Sequence, residues 1–332
     1  MQVDIQTNGI RPIRQTFSFI ARRLGADKPA SRYQEATIDM QPEANFHYRP
    51  LWQPEYALYD QRRTAIRMTD WYAFKDPRQY YYGTYTMARA RQQEAAEKQL
   101  EFVEKRGLLA AVDEGTRALL LEAVVPLRHY EWGANMNNCY ITGYGWGAAV
   151  TQATMFATMD RLGLAQIISR IGLAIDGGDG SSLAHAKQQW LQAQHWQGVR
   201  RLMENLFVTK DWFEVFIGQN LVLDGLLQPL MFRRIEAALN PHTGNALSLA
   251  TSFINEWIDD TSRWVDATVK TAADESPDNA RQLSQWRQLW RDETMLALEP
   301  LARHALGAAA EETLAAVVRD FDARSVRLGL SL

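Results

Sequence analysis

The chain is short of cysteine, of histidine and of any excess charge. One cysteine, Cys139, stands among 332 residues, so an intramolecular disulfide and a paired-cysteine metal site are both excluded. The six histidines show no metal-ligand spacing. Lysine plus arginine (36) nearly balance aspartate plus glutamate (39), which gives no reason to expect a polyanionic partner. The start MQVDIQTNGIRPIRQ lacks the apolar core of a signal peptide, and the cytoplasm is the expected compartment. Only one stretch calls for a membrane check. Gly133 to Met159 has no charged residue and is about long enough to span a bilayer. It contains Asn135, Asn137, Asn138, Gln152 and four threonines, which is too polar for lipid and suits helices buried in protein.

What is present is helical. No Asn-Gly hairpin signal lies between alternating runs. From Leu108 onward apolar residues recur at helical spacing, which predicts helices over 113–143, 147–175, 183–207, 211–238, 244–271, 279–298 and 308–327. The runs Asp176 to Ser182 and Asn240 to Gly244 mark sharp loops between them. Several segments near 25–30 residues exceed the usual globular helix, so the class is all-α, a long-helix bundle. At this length a chain buries roughly 75% of its extended surface, enough for one large core.

The beginning differs. Residues 26–56 carry prolines at 29, 42, 50 and 54 with little periodicity, so residues 1–76 read as an extended, aromatic-rich arm and 77–332 as the helical domain. A helix is expected from about Pro77 through the charged run Arg89–Arg106 to Gly107. Of 35 aromatic residues, 12 fall between Phe46 and Tyr85, interleaved with Arg49, Arg62, Arg63, Arg67 and Arg78. Tyrosine, tryptophan and arginine are the residues that protein interfaces favour. Trp52, Trp71, Tyr72, Phe74, Tyr80, Tyr81 and Tyr82 are therefore the candidate partner-binding residues, with the arm expected to lie largely on another chain. The alternative is that they cap the chain's own bundle, since aromatics dominate cores as well. A nucleic-acid reading fails on net charge and on the lack of a recognition motif.

Two segments carry a family resemblance: Met68-Thr-Asp-Trp-Tyr-Ala-Phe-Lys-Asp-Pro-Arg-Gln-Tyr-Tyr-Tyr82 and Arg128-His-Tyr-Glu-Trp-Gly-Ala-Asn-Met-Asn-Asn138. With them the chain resembles, over nearly its whole length, the β subunit of the soluble di-iron monooxygenases, most of all the phenol hydroxylase branch. The resemblance implies a ferritin-like bundle that lacks a di-iron site. It also implies α (di-iron) and γ partners in an (αβγ)2 hydroxylase, working with a regulatory protein and a reductase that holds FAD and a 2Fe-2S cluster and takes electrons from NADH. No cofactor, catalytic residue, nucleic acid or membrane is expected for this chain. The competing readings are a stand-alone ferritin-like di-iron protein and a helical scaffold without an oxygenase partner.

A di-iron carboxylate bundle needs a Glu from each of two helices and Glu-x-x-His from two others. No Glu-x-x-His occurs here. Asp160-Arg161-Leu162-Gly163-Leu164-Ala165-Gln166 resembles the family's Asp-Glu-x-x-His-x-Gln segment, with Arg161 at the Glu position and Leu164 at the His position. Asn255-Glu256-Trp257-Ile258-Asp259 resembles the second copy, with Asp259 where histidine would be. Removing cations from a core that keeps acids leaves negative charge to be neutralised. Arg161 is accordingly expected to occupy the vacated site, paired with Glu256 or Asp259. Asp224, the only acid between Val215 and Phe232, would also need a partner if buried. His129, Glu131, His185 and His195 lack ligand spacing, Cys139 reads as a small buried hydrophobe, and Asp176 to Ser182 matches no phosphate loop.

Overall fold

The structure, a computed structural model, describes residues 18–25, 29–44 and 48–332. Phe46 and the first 17 residues of the arm lie outside the described residues. Every regular element among the described residues is helical. Two short helices, α1 (Ser18–Leu24) and α2 (Arg32–Thr37), precede α3 (Tyr82–Lys105). Then come α4 (Glu114–Leu119), α5 (Leu127–Tyr144), α6 (Ala148–Asp176), α7 (Ser181–Gln192) and α8 (Gln194–Val208). The rest are α9 (Trp212–Phe216), α10 (Asp224–Pro229), α11 (Glu236–Thr243), α12 (Ala246–Glu275), α13 (Pro277–Leu306) and α14 (Ala310–Arg327). Helices α9 to α11 form one continuous rod, because π-helical turns at Ile217–Leu223 and Leu230–Ile235 join them without a break.

The boundaries follow local chemistry. Gly177 and Gly244 take left-handed backbone (φ +73 and +56) where α6 and α11 end. The Asp211 carboxylate accepts from the amides of Phe213 and Glu214 at the start of α9, and Ser276 caps α13 just before Pro277. Two expectations shift. Helix α3 begins at Tyr82 rather than Pro77, since Gln79 adopts φ +52 and breaks any earlier turn. The segment 183–207 divides at Ala193, whose extended backbone (φ −69, ψ 131) ends α7 and opens α8.

The rod α9–α11 is the spine of the core and is the one helix among the described residues long and apolar enough to cross a membrane. It lies inside the bundle, with Trp212, Phe213, Phe216, Leu221, Leu226 and Leu230 fully buried against the surrounding helices. Each such side chain contributes about 1.5–3 kcal/mol by leaving water. The Gly133–Met159 stretch instead forms most of the α5–α6 hairpin. Its inner side is polar and buried: Asn135 donates to the Thr158 carbonyl at 2.8 Å, and the Thr142 and Thr154 hydroxyls meet at 2.8 Å.

The described part of the arm is not wholly extended, and it packs on its own bundle. Trp71 lies 5.7 Å from Trp212 and Phe74 lies 6.3 Å from Phe213, ring centre to ring centre, and both arm residues belong to the core. The backbone is stitched down as well. The Ala65 amide donates to Asp211 at 2.6 Å, Thr69 to Glu275 at 2.7 Å, and Arg67 exchanges two hydrogen bonds with Asn279. Tyr85 stacks on Phe156 at 4.2 Å. Of the seven candidate partner-binding residues, Trp71 and Phe74 are therefore core. Trp52, Tyr72, Tyr80 and Tyr81 are half-buried, and Tyr82 alone is well exposed. For Trp71 and Phe74 the expectation of a partner contact is corrected, because the chain's own core claims them and aromatic composition suits a core as well as an interface; the other five keep surface exposed.

Candidate functional site

Four long helical elements bring one residue each to a buried point in the middle of the bundle. Glu131 comes from α5, Arg161 from α6, Asp224 from the start of α10 and Trp257 from α12. The Arg161 side chain is completely shielded from solvent. Its Nη1 donates to Glu131 Oε2 at 2.9 Å, its Nη2 donates to Asp224 Oδ2, and its guanidinium carbon sits 4.7 Å from the centre of the Trp257 ring. The Tyr130 hydroxyl donates to Asp224 Oδ1 at 2.6 Å and accepts from Gln219 Nε2 at 3.0 Å. Gln219 also donates to Asp224, and through Asn137 the network reaches back to α5.

Local helix geometry sets these directions. On α6, Asp160 and Arg161 are adjacent and so point about 100° apart. Arg161 enters the core while Asp160 turns toward α3, where it accepts from Arg89 at 2.7 and 2.8 Å and from the Tyr85 hydroxyl at 2.9 Å. Trp257 touches both, with its ring over Arg161 and its Nε1 donating to Asp160 at 3.0 Å. The π-helical turn Ile217–Leu223 places both Gln219 and Asp224 on the inward side of the rod.

Electrostatics explain the composition of the cluster. Two carboxyl groups share one guanidinium in a buried site, so a fully ionised cluster would carry an uncompensated negative charge. Burial pushes the Glu131 carboxyl up to about 7; Arg161 opposes the shift and Asp224 adds to it. For Arg161, burial disfavours the charge, but Asp224 and Glu131 outweigh it and raise the pKa. Burial, with Asp224 adding, holds the Tyr130 hydroxyl well above its ordinary value, so it stays a donor. A consequence for stability follows. The folded chain holds the Glu131 proton more tightly than the unfolded chain, where the group titrates near about 4.3, so its contribution is full below that pH and is lost as the pH rises toward about 7. The stability difference between wild type and Glu131→Gln, from urea unfolding at pH 5 and pH 7.5, should move against the wild type at the higher pH. A pH-independent difference would refute the assignment.

The structure corrects the expected partners of Arg161. Glu256 and Asp259 both face solvent, and Asp259 pairs on the surface with Arg233. On α12 the buried residues around this level are Ile254, Trp257, Ile258 and Thr261, so the inward position is one residue past Glu256. Asp224 takes the place expected of them, which gives the lone acid of Val215–Phe232 its partner. Sequence reasoning missed the roles of Glu131, Tyr130 and Gln219. The one available signal was Glu131 itself, the last charge before the uncharged stretch.

Comparison with known proteins places this chain in a family. The model of the methane/phenol/alkene hydroxylase family matches residues 52–276. The chain belongs to the methane/phenol/alkene hydroxylase family. Among its relatives, the oxygenase component DmpL of phenol 2-monooxygenase from Pseudomonas sp. (strain CF600) is 49% identical over 99% of this chain and 98% of its own length. The β subunit of the hydroxylase component of the toluene-4-monooxygenase system from Ectopseudomonas mendocina is 26% identical over 73% of each chain. A crystal structure of phenol hydroxylase from Pseudomonas sp. OX1 superposes with a TM-score of 0.93 at 42% identity, covering 99% of both chains. The fold is thus the all-α, ferritin-like bundle of the hydroxylase family, and the buried cluster of Glu131, Arg161, Asp224 and Trp257 lies at the centre of that bundle. Relatives in the family are components of multicomponent hydroxylases, which implies further subunits.

Proposed function

We propose that this chain is the β subunit of the hydroxylase of a cytoplasmic, multicomponent phenol 2-monooxygenase: a structural chain that supports a di-iron α subunit and carries neither metal nor catalytic residue. The observation that carries the reading is the guanidinium of Arg161 at the point where the bundle helices converge. An iron pair in such a bundle draws Glu from two helices and Glu-x-x-His from two more. Helices α5 and α10 do offer acids, Glu131 and Asp224, but α6 offers a cation with Leu164 three residues on, and α12 offers an indole ring. These residues do not fit two irons, which need anionic oxygen and imidazole donors.

On this reading the assembled enzyme is an (αβγ)2 hydroxylase served by a regulatory protein and by a reductase with FAD and a 2Fe-2S cluster. NADH supplies electrons and dioxygen supplies the oxygen placed on the ring. The β chain contributes a rigid, apolar-cored body against which the metal-bearing subunit is held. Likeness to the phenol 2-monooxygenase component supports phenol as the substrate class.

The test has two arms. After anaerobic loading with ferrous iron, the isolated chain is expected to hold no stoichiometric iron; two irons per chain would establish a stand-alone di-iron protein instead. Co-expressed with a larger, Glu-x-x-His-bearing hydroxylase subunit, it is expected to co-purify at equal stoichiometry. Failure to associate would leave a helical scaffold of another kind.

A further inference from the structure

Helices α3, α6 and α12 enclose a cleft of about 400 Å³, a volume within the range of small-molecule sites. The cleft exists because the facing residues are small: Ala90 stands on α3, and on α6 Gly163 leaves space in which a Cβ would meet nothing within 4 Å. Its walls are apolar, built from Met159, Leu164 and Ile167 of α6 and from Phe253 and Trp257 of α12. Phe253 and Trp257 are one turn apart, so their rings share one wall. Only two lining residues are charged, Arg89 and Asp160, and they neutralise each other through hydrogen bonds of 2.7 and 2.8 Å. The Asp160 carboxylate also accepts from the Tyr85 hydroxyl and the Trp257 indole, so its acceptor sites are filled. Two amides of defined orientation stand at the rim. Gln92 Oε1 accepts from Arg89 Nη1 at 2.6 Å, which leaves its Nε2 to donate, and Gln93 Nε2 donates to Glu97 at 2.9 Å, which leaves its Oε1 to accept.

We infer that this cleft binds a small, neutral aromatic molecule of one or two rings that carries a hydroxyl group. Charge decides the first property. With Arg89 and Asp160 already paired, an ionised ligand would lose its water against these walls and meet no free counter-charge. The shared wall of Phe253 and Trp257 decides the second, because an aromatic ring placed edge-on or offset against them gains beyond the area it buries. The rim decides the third. A hydroxyl both accepts and donates, which matches Gln92 Nε2 and Gln93 Oε1, whereas a bare ring would cut both amides off from water and replace nothing. Occupancy also touches the core, since the Trp257 ring that lines the cleft covers the Arg161 guanidinium at 4.7 Å while its Nε1 holds Asp160. The site belongs to the free chain and does not depend on the β-subunit reading.

The probe is 4-fluorophenol, neutral at about pH 7, followed by the broadening of its fluorine NMR signal as the full chain is added. Saturable binding to one site is expected with a Kd of about 0.1–1 mM, the range open to so few atoms. Competition should then order the chemistry, with cyclohexanol displacing the probe at least about threefold less well than phenol, and benzoate at least about tenfold less well. Gly163→Phe fills the cleft from α6, and Ala90→Trp, at an exposed position, closes it from α3. Each should weaken binding at least about tenfold while the circular dichroism and Tm stay unchanged. Should one variant fold poorly, the other decides. The assignment is overturned if no saturable binding appears up to about 10 mM, if benzoate or cyclohexanol competes as well as phenol, or if the folded variants bind as the wild type does.

Discussion

Arg161→Leu is expected to cost roughly 3–5 kcal/mol of folding stability, because it removes the only cation between two buried acids. The loss is not that of one favourable contact. It is the penalty of leaving Glu131 and Asp224 facing each other in a buried site with little access to water, together with the ring contact to Trp257. Urea unfolding of the isolated chain measures it, and a loss below about 0.5 kcal/mol, the usual surface value, would show that the cluster is not as drawn. The same reasoning gives a second result of opposite sense. Replacing the set together, as Arg161→Met, Glu131→Gln and Asp224→Asn, should recover most of the loss, since a buried ionic group exchanged whole for uncharged residues of similar size is often neutral.

Trp71→Ala is expected to destabilise the isolated chain by about 3–5 kcal/mol, the cost of emptying a large aromatic site in a core. Trp71 touches Phe74 and Trp212, and the Gly147 that opens α6 packs against it; a Cβ at Gly147 would stand 3.3 Å from that of Trp71. Tyr82→Ala, at a side chain 74% exposed, should change stability by no more than about 0.5 kcal/mol. If instead both substitutions leave the free chain unaffected and weaken only an assembled complex, the arm's aromatics belong to an interface after all.

The helices were legible because their ends are written in local chemistry. Gly177, Gly244 and the Ser276-Pro277 pair interrupt the apolar period, and the expected segments 147–175 and 244–271 match α6 to within one residue and α12 to within a few residues at each end. The break at Ala193 was not legible, since neither glycine nor proline marks it and the chain simply turns extended for one residue. Arg161 was singled out by a departure from a ligand pattern, which needs one helix only. Its partners lie on two other helices, and a helical period fixes which face points inward but not which residue stands across the core. On α12 an error of one residue, about 100° of rotation, separates the solvent-facing Glu256 from the inward Trp257. In the aromatic block Trp71 and Phe74 were misplaced for another reason: composition alone does not tell a core from an interface.

The π-helical turn at Ile217–Leu223 bears on how this chain tolerates changes of length. A π turn is an α-helix with one residue to spare, inserted without a loop. Deleting that one spare residue would restore ordinary α geometry with both ends of the rod still on the same faces, whereas deleting a residue from one of the rod's α-helical turns, such as Trp212–Phe216, would turn everything beyond by about 100°. After a deletion of the latter kind Asp224 would leave Arg161, and Leu226, Leu227 and Leu230 would rotate away from the neighbours they now fill against. Surface loops such as Asp176 to Ser182 absorb insertions and deletions at little cost; inside the central helix a one-residue deletion is absorbed at a π turn and elsewhere puts the helix beyond it out of phase with the protein around it.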